Sequence, residues 1–256
     1  MTVVETLKDF FILLQKEDTE KLLSIFVGEP VIDTPMEGRI TGREEFISFV
    51  GRQHQWLKGH DVGQQFVEIT VSVQRVCVEL LLYLQHDTRS MDLPVAIVAD
   101  LDGDKVSAIR IYHSMWPLTG RHRVRKPLLE PAKGLEEPDF VKQYMQALDS
   151  GDAATIVNLF EDDGYAREPS SSEYTHSGRS GLNNFYSTIL KDGGISLKHC
   201  TATFDGKRAV IEYIAAGWGK TELPPQAGVA VYELGKNWKM HAARIYDDVT
   251  PPGEAA

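Results

Sequence analysis

The chain repeats itself at a fixed interval, and this restricts its folding more than any single motif does. The strings VAIVADLDGDKVSAIRIYHSMWP, from Val95, and VAVYELGKNWKMHAARIYDDVTP, from Val229, stand 134 residues apart. The same interval carries Arg110 to Arg244, Tyr112 to Tyr246 and Pro117 to Pro251. It also carries LKDFFILLQKEDTEKLLSIF, from Leu7, to VKQYMQALDSGDAATIVNLF, from Val141. Two diverged copies of one unit thus share 256 residues, enough for each to bury its own core. Residues 121–139 between them hold three prolines, a basic run and then an acidic run, the composition of a linker. The expected division is a first domain over residues 1–122, a linker over 123–137 and a second domain over 138–256.

Within each copy the hydrophobic period changes from helical to alternating. Val3, Leu7, Phe10 and Leu14 recur at helical spacing, as do Val141, Tyr144 and Leu148, so each copy opens on an amphipathic helix. Asp18 and Asp152 follow as N-caps of second helices, because a carboxylate accepts the unpaired amide hydrogens of a first turn. Third helices are expected after Gly42 and after Gly181. The rest alternates as strands: VEITVSV, VCVELLLYL, VAIVADL and KVSAIRIYH, then LKHCTATF, RAVIEYIAA, GVAVYEL and WKMHAARIY. Helices followed by a strand meander predict an α+β fold, with helices on one face of a curved antiparallel sheet.

Charge and cysteine content exclude several classes of function. Twenty-seven Lys and Arg against 37 Asp and Glu give a net charge of −10, which argues against a nucleic-acid partner. The run Arg121, Arg123, Arg125, Lys126 reads as a solvated or docked stretch in an acidic protein. Two distant cysteines, Cys77 and Cys200, predict no disulfide framework and a reducing, cytoplasmic location. No apolar run approaches the roughly 20 residues that cross a bilayer, so no membrane partner is expected.

The helical openings, QYMQALDSGDAATIVNLFEDDGYAREP and LLQKEDTEKLLSIFVGEPVIDTP, together with the final strand pairs, resemble the nuclear-transport-factor-2-like superfamily. The similarity is to its SnoaL-type polyketide cyclase and ketosteroid isomerase branch, and the two-copy layout is similar to that of its polyether epoxide hydrolase/cyclases. The resemblance implies two tandem cones, each with three helices and a bent sheet around an apolar pocket open at one end. In ketosteroid isomerases a first-helix tyrosine precedes the second-helix cap by eight residues, and a catalytic aspartate follows the cap by sixteen, before a proline. Counted from Asp152, these positions are Tyr144 and Glu168, the latter followed by Pro169. Counted from Asp18 they are Phe10 and Thr34, with Asp33 one residue out of register. The family's second oxyanion donor falls near Ala230 or Val231, neither of which can donate.

The family's pocket-lining alternation in the last strand maps onto Ile109, Ile111 and His113, and onto Ala243, Ile245 and Asp247. Arg110, Tyr112, Arg244 and Tyr246 then face away, on the sheet surface through which family members dimerise. Tyr144, Glu168 and Asp247 are the expected catalytic group: a phenol to donate to an oxyanion, a carboxylate to shuttle a proton, and an acid partner. Asp33, His113, His176 and His199 are the expected substrate-binding residues. Gly219-Lys220-Thr221 lacks the earlier glycine of a phosphate loop, and Asp100, Asp102 and Asp104 lack the glycine and glutamate positions of a calcium loop. Chemistry without cofactor or metal is the simplest expectation. The chain reads as an isomerase, cyclase or epoxide-opening enzyme for a small, apolar, oxygenated substrate, as a monomeric pseudo-dimer or a homodimer. The alternative is a non-catalytic binding or protein-interaction module.

Overall fold

In the computed structural model, which describes residues 2–86 and 89–251, the chain divides into two units, residues 1–113 and 114–256. The first opens with α1 (Val3–Lys8) and α2 (Phe10–Gln15), the expected amphipathic helix bent at Asp9. Thr2 and Glu5 form a reciprocal capping box at its start. The side chain of Asp18 accepts the amide hydrogen of Lys21 at 3.3 Å and starts α3 (Thr19–Leu23). A hairpin of β1 (Val31–Thr34) and β2 (Gly38–Thr41) leads into α4 (Arg43–Gly59). The meander β3 (Gly63–Val71), β4 (Arg75–His86), β5 (Arg89–Asp102) and β6 (Lys105–Tyr112) completes the unit.

The second unit repeats this order after a short α5 (Trp116–Thr119). Its helices α6 (Asp139–Ser150) and α7 (Ala153–Leu159) are separated by Gly151, whose φ of +75° ends α6 in the left-handed conformation. Asp152 then caps α7, accepting the Thr155 amide hydrogen at 2.9 Å. Next come β7 (Phe160–Arg167), β8 (Thr175–Ser177) and α8 (Gly178–Ile189), which starts three residues before the expected Gly181. The strands β9 (Ile195–Phe204), β10 (Arg208–Trp218), β11 (Thr221–Leu234) and β12 (Met240–Tyr246) close it.

Each unit is α+β with one six-stranded sheet, ordered β2-β1-β6-β5-β4-β3 in the first and β8-β7-β12-β11-β10-β9 in the second. The sheets are antiparallel except at one seam. There β1 runs parallel to β6, and β7 to β12, because the chain between these strands is a crossover long enough to return in the same direction. The expected antiparallel sheet is found in each unit, with these two pairs as its parallel exceptions. Residues 114–137 belong with the second unit: the Ala132 N–H donates to the His199 carbonyl at 3.0 Å, and the Ala227 N–H to the Arg125 carbonyl at 2.8 Å. Among the described residues, no helix is long and apolar enough to cross a membrane.

Candidate active site in the second unit

The inward positions of the second sheet follow from its register. Ile245 stands opposite Ala230, Ala230 opposite Ile211, and Gly228 opposite Tyr213, so Asp247, two residues beyond Ile245, emerges beside Tyr213. Gly228 makes this possible. A Cβ there would lie 2.5 Å from the Tyr213 ring and 3.0 Å from the Asp247 Cβ, so the bare backbone leaves the space the ring crosses. The Tyr213 hydroxyl donates to Asp247 Oδ2 at 2.7 Å. From the helical side, α6 contributes Tyr144 and α8 contributes Tyr186, whose hydroxyls lie 3.0 Å apart. The Tyr144 and Tyr232 rings pack with centroids 5.0 Å apart.

These groups enclose a cavity of about 330 Å3, at the small end of ligand sites (roughly 300–1,000 Å3). Leu148, Ile189, Ile195, Leu197 and Ile245 supply its aliphatic wall. Burial pushes the Tyr144 phenol up to about 12 and those of Tyr186, Tyr213 and Tyr232 well above their ordinary value, so all four are neutral hydrogen-bonding groups. Burial also raises the Asp247 carboxyl, to about 6; the Tyr213 hydrogen bond opposes the rise and neighbouring Asp248 adds to it. Tyr213 and Tyr232 each sense both Asp247 and Tyr144 electrostatically, which links the two sides of the chamber.

Glu168, just past the end of β7, lines the same cavity. Its Oε1 lies 2.6 Å from His176 Nε2, and the His176 ring stacks on Phe185 at 4.3 Å. Its backbone N–H donates to the Tyr174 carbonyl at 3.1 Å. The Tyr174 ring meets that of Trp116 nearly at right angles, with centroids 6.1 Å apart. Trp116 and His122 reach the cavity from the segment ahead of α6, which is fastened by buried Asp248. That carboxylate accepts from Ser114 Oγ at 2.5 Å and the Arg123 N–H at 2.7 Å, and lies 3.0 Å from His122 Nδ1.

The sequence-derived candidates therefore separate into groups. Tyr144, Glu168 and Asp247 line one cavity. His176 reaches Glu168 from outside its lining, and His199 is turned to Glu137, with its Nδ1 2.5 Å from Oε1. In the first unit His113 lines a space of only about 20 Å3 with Thr34, Ile111 and Gln53, room for about one water, and Asp33 is buried outside that lining. The arginines expected to face away do so. Arg110 grips Asp100 through both terminal nitrogens, at 2.5 and 3.0 Å, and Arg244 bonds Glu233 and Tyr165. Burial would raise Asp100, but Arg110 and Arg75 outweigh it and hold the carboxyl below its ordinary range. Among the described residues, one group away from the cavity has metal-ligand character: Glu161, Asp163 and His241 bring ligand atoms within 4.8 Å of one another.

Sequence reasoning missed Tyr186, Tyr213, Tyr232, Trp116, Tyr174, His122 and Asp248. The alternation of Ala209, Ile211, Tyr213 and Ala215, and of Gly228, Ala230 and Tyr232, held the signal for two of them. It required the cross-strand register to be read.

Residues 138–228 match the family model of the SnoaL-like domain. No curated protein matches the sequence. Among solved structures, the chain is similar to a proposed polyketide cyclase from Sinorhizobium meliloti, at 17% identity and a TM-score of 0.37 over 43% of this chain and 94% of that one. It is also similar to a protein of ketosteroid isomerase-like fold from Catenulispora acidiphila, solved with trimethylamine, at 14% identity and a TM-score of 0.39 over 47% and 92%. A third similar structure is an NTF2-like protein from Burkholderia pseudomallei, at 16% identity and a TM-score of 0.38 over 45% and 95%. The second unit thus carries a SnoaL-like domain over residues 138–228, and the first unit repeats its order of helices and six-stranded sheet.

Proposed function

We propose that the second unit is a small-molecule enzyme of the isomerase, cyclase or epoxide-opening type, working by carboxylate acid–base chemistry on an apolar, oxygenated substrate of polyketide or terpenoid kind. The observation that carries this reading is the convergence of Tyr144, Glu168 and Asp247 on one apolar-walled cavity. Glu168 takes a proton, either from the carbon beside a carbonyl or from water attacking an epoxide carbon. The neutral Asp247 carboxyl gives its proton to the oxygen on which charge develops. With Tyr186 donating in their shared hydrogen bond, the Tyr144 proton points at that same oxygen. Because Asp247 acts in its protonated form, activity falls as pH rises through about 6.

A panel of β,γ-unsaturated ketones and terpene epoxides, followed by mass spectrometry, tests this. Glu168→Gln should lower kcat by roughly 10²–10⁴-fold with the thermal midpoint retained, and the alkaline limb near pH 6 should vanish in Asp247→Asn. Wild-type turnover by Glu168→Gln would overturn the assignment. The second reading is a ligand-binding module whose carboxylates shape the walls. It is favoured by the partners both already hold, His176 and Tyr213, and predicts ligand retention without turnover.

A further inference from the structure

The charge of the cavity wall is one-sided. Among the described residues its lining holds eight Trp, Tyr and Phe side chains, the carboxyl groups of Glu168 and Asp247, one histidine, His122, whose Nδ1 lies 3.0 Å from Asp248, and neither lysine nor arginine. An anionic ligand such as a phosphate, a carboxylate or an acyl thioester of a phosphorylated carrier would meet ring faces and carboxyl groups with no lysine or arginine to receive it, and the one histidine already turned to Asp248. A weakly hydrated cation meets the opposite situation, since ring faces are negative and attract it, most strongly where water is partly excluded.

One corner of the lining has the geometry for such a group. The half-buried rings of Trp116 and Tyr174 form two walls of a corner, 84° apart. Glu168 lies beside it: its backbone bonds that of Tyr174, and its charge acts on the Tyr174 phenol. His176 holds Oε1 from behind, so the carboxylate is fixed as a counter-charge. The rest of the lining, the buried tyrosines and the aliphatic wall, suits an uncharged body.

We infer that this cavity selects amine-bearing substrates, with a tertiary or quaternary ammonium seated in the Trp116–Tyr174 corner against Glu168 and an apolar, oxygenated body extending toward Tyr144. The inference rests on the proposed small-molecule site and narrows its substrate class. The ammonium is a binding handle, and the chemistry stays with the oxygenated part.

Three probes of one shape test it: benzyltrimethylammonium, its uncharged carbon isostere neopentylbenzene, and phenylmethanesulfonate, each titrated against the full chain by tryptophan fluorescence and calorimetry. The ammonium should bind at least about tenfold more tightly than the isostere, and the sulfonate should not compete with it. Trp116→Ala should abolish the ammonium's advantage and Trp116→Phe should keep most of it. Equal or tighter binding of the isostere, sulfonate competition, or an undiminished advantage in a folded Trp116→Ala would each overturn the inference. The outcome is independent of turnover. Ammonium selectivity without catalysis refutes the enzyme reading alone, whereas turnover of uncharged substrates without selectivity refutes only this one.

Discussion

The two copies use the same elements to opposite ends. Asp18 and Asp152 cap equivalent helices, and the sheets share one strand order, yet one cavity holds about 330 Å3 and its counterpart about 20 Å3. Fully buried Phe10 stands where the second copy has Tyr144, Thr34 where it has Glu168, and His113 where it has Asp247. Where Tyr213 crosses bare Gly228, the 134-residue interval puts Pro94 in the first copy, paired with Leu81. Residues that start helices and pair strands can thus stay alike while those facing inward decide whether a chamber exists.

The largest effect on this contrast should come from Gly228. Gly228→Ala puts a methyl group into the Tyr213 ring, and crowding of this kind costs about 3 kcal/mol. The thermal midpoint should drop and the ammonium probe should lose affinity. An unchanged midpoint would mean that the ring has room elsewhere, and that the glycine does not maintain the chamber.

A smaller effect separates Asp247 from His113. Raised to about 6, the native Asp247 holds its proton more tightly than the unfolded chain does, so folding takes up a proton between about pH 4 and pH 6. The associated stability is present below pH 4 and is lost as pH rises through about 6. Asp247→Asn should therefore exceed wild type by roughly 2–3 kcal/mol at pH 7 and come close to it at pH 4, by urea unfolding. A difference that does not vary with pH would show that the carboxyl ionises as freely as in water.

The smallest effect should be common to both copies. Asp18→Ala and Asp152→Ala each remove one capping side chain, at about 1 kcal/mol apiece. A loss several times larger in one copy would show that the caps too have diverged in their role.

Much of this architecture was legible because it rests on local chemistry. The interval of 134 residues revealed the doubling, the aspartates marked the helix starts, and alternation marked the meander strands. The spacing of the ketosteroid isomerases that the chain resembles led from Asp152 to Tyr144 and Glu168, and their pocket-lining alternation in the last strand led to Asp247. What escaped depends on neighbours across space. The parallel seams β1–β6 and β7–β12 join strands far apart in sequence, and Tyr213 and Tyr232 become wall residues only through their register with Gly228 and β12. His199 has a suitable ring in a suitable strand, but Glu137 takes it. Asp248 reads as one more acid near the chain end, until Ser114, His122 and the Arg123 N–H converge on it.

That clasp has a consequence for anyone who wishes to transplant the second repeat. Its sequence unit starts near residue 138, but Trp116 and His122 come from upstream and are tied down by Asp248. A fragment cut at the repeat boundary would keep its scaffold yet arrive with one side of its chamber missing. The compact unit that holds the whole chamber begins at Ser114, so the repeated stretch and the chamber-bearing unit are of different lengths.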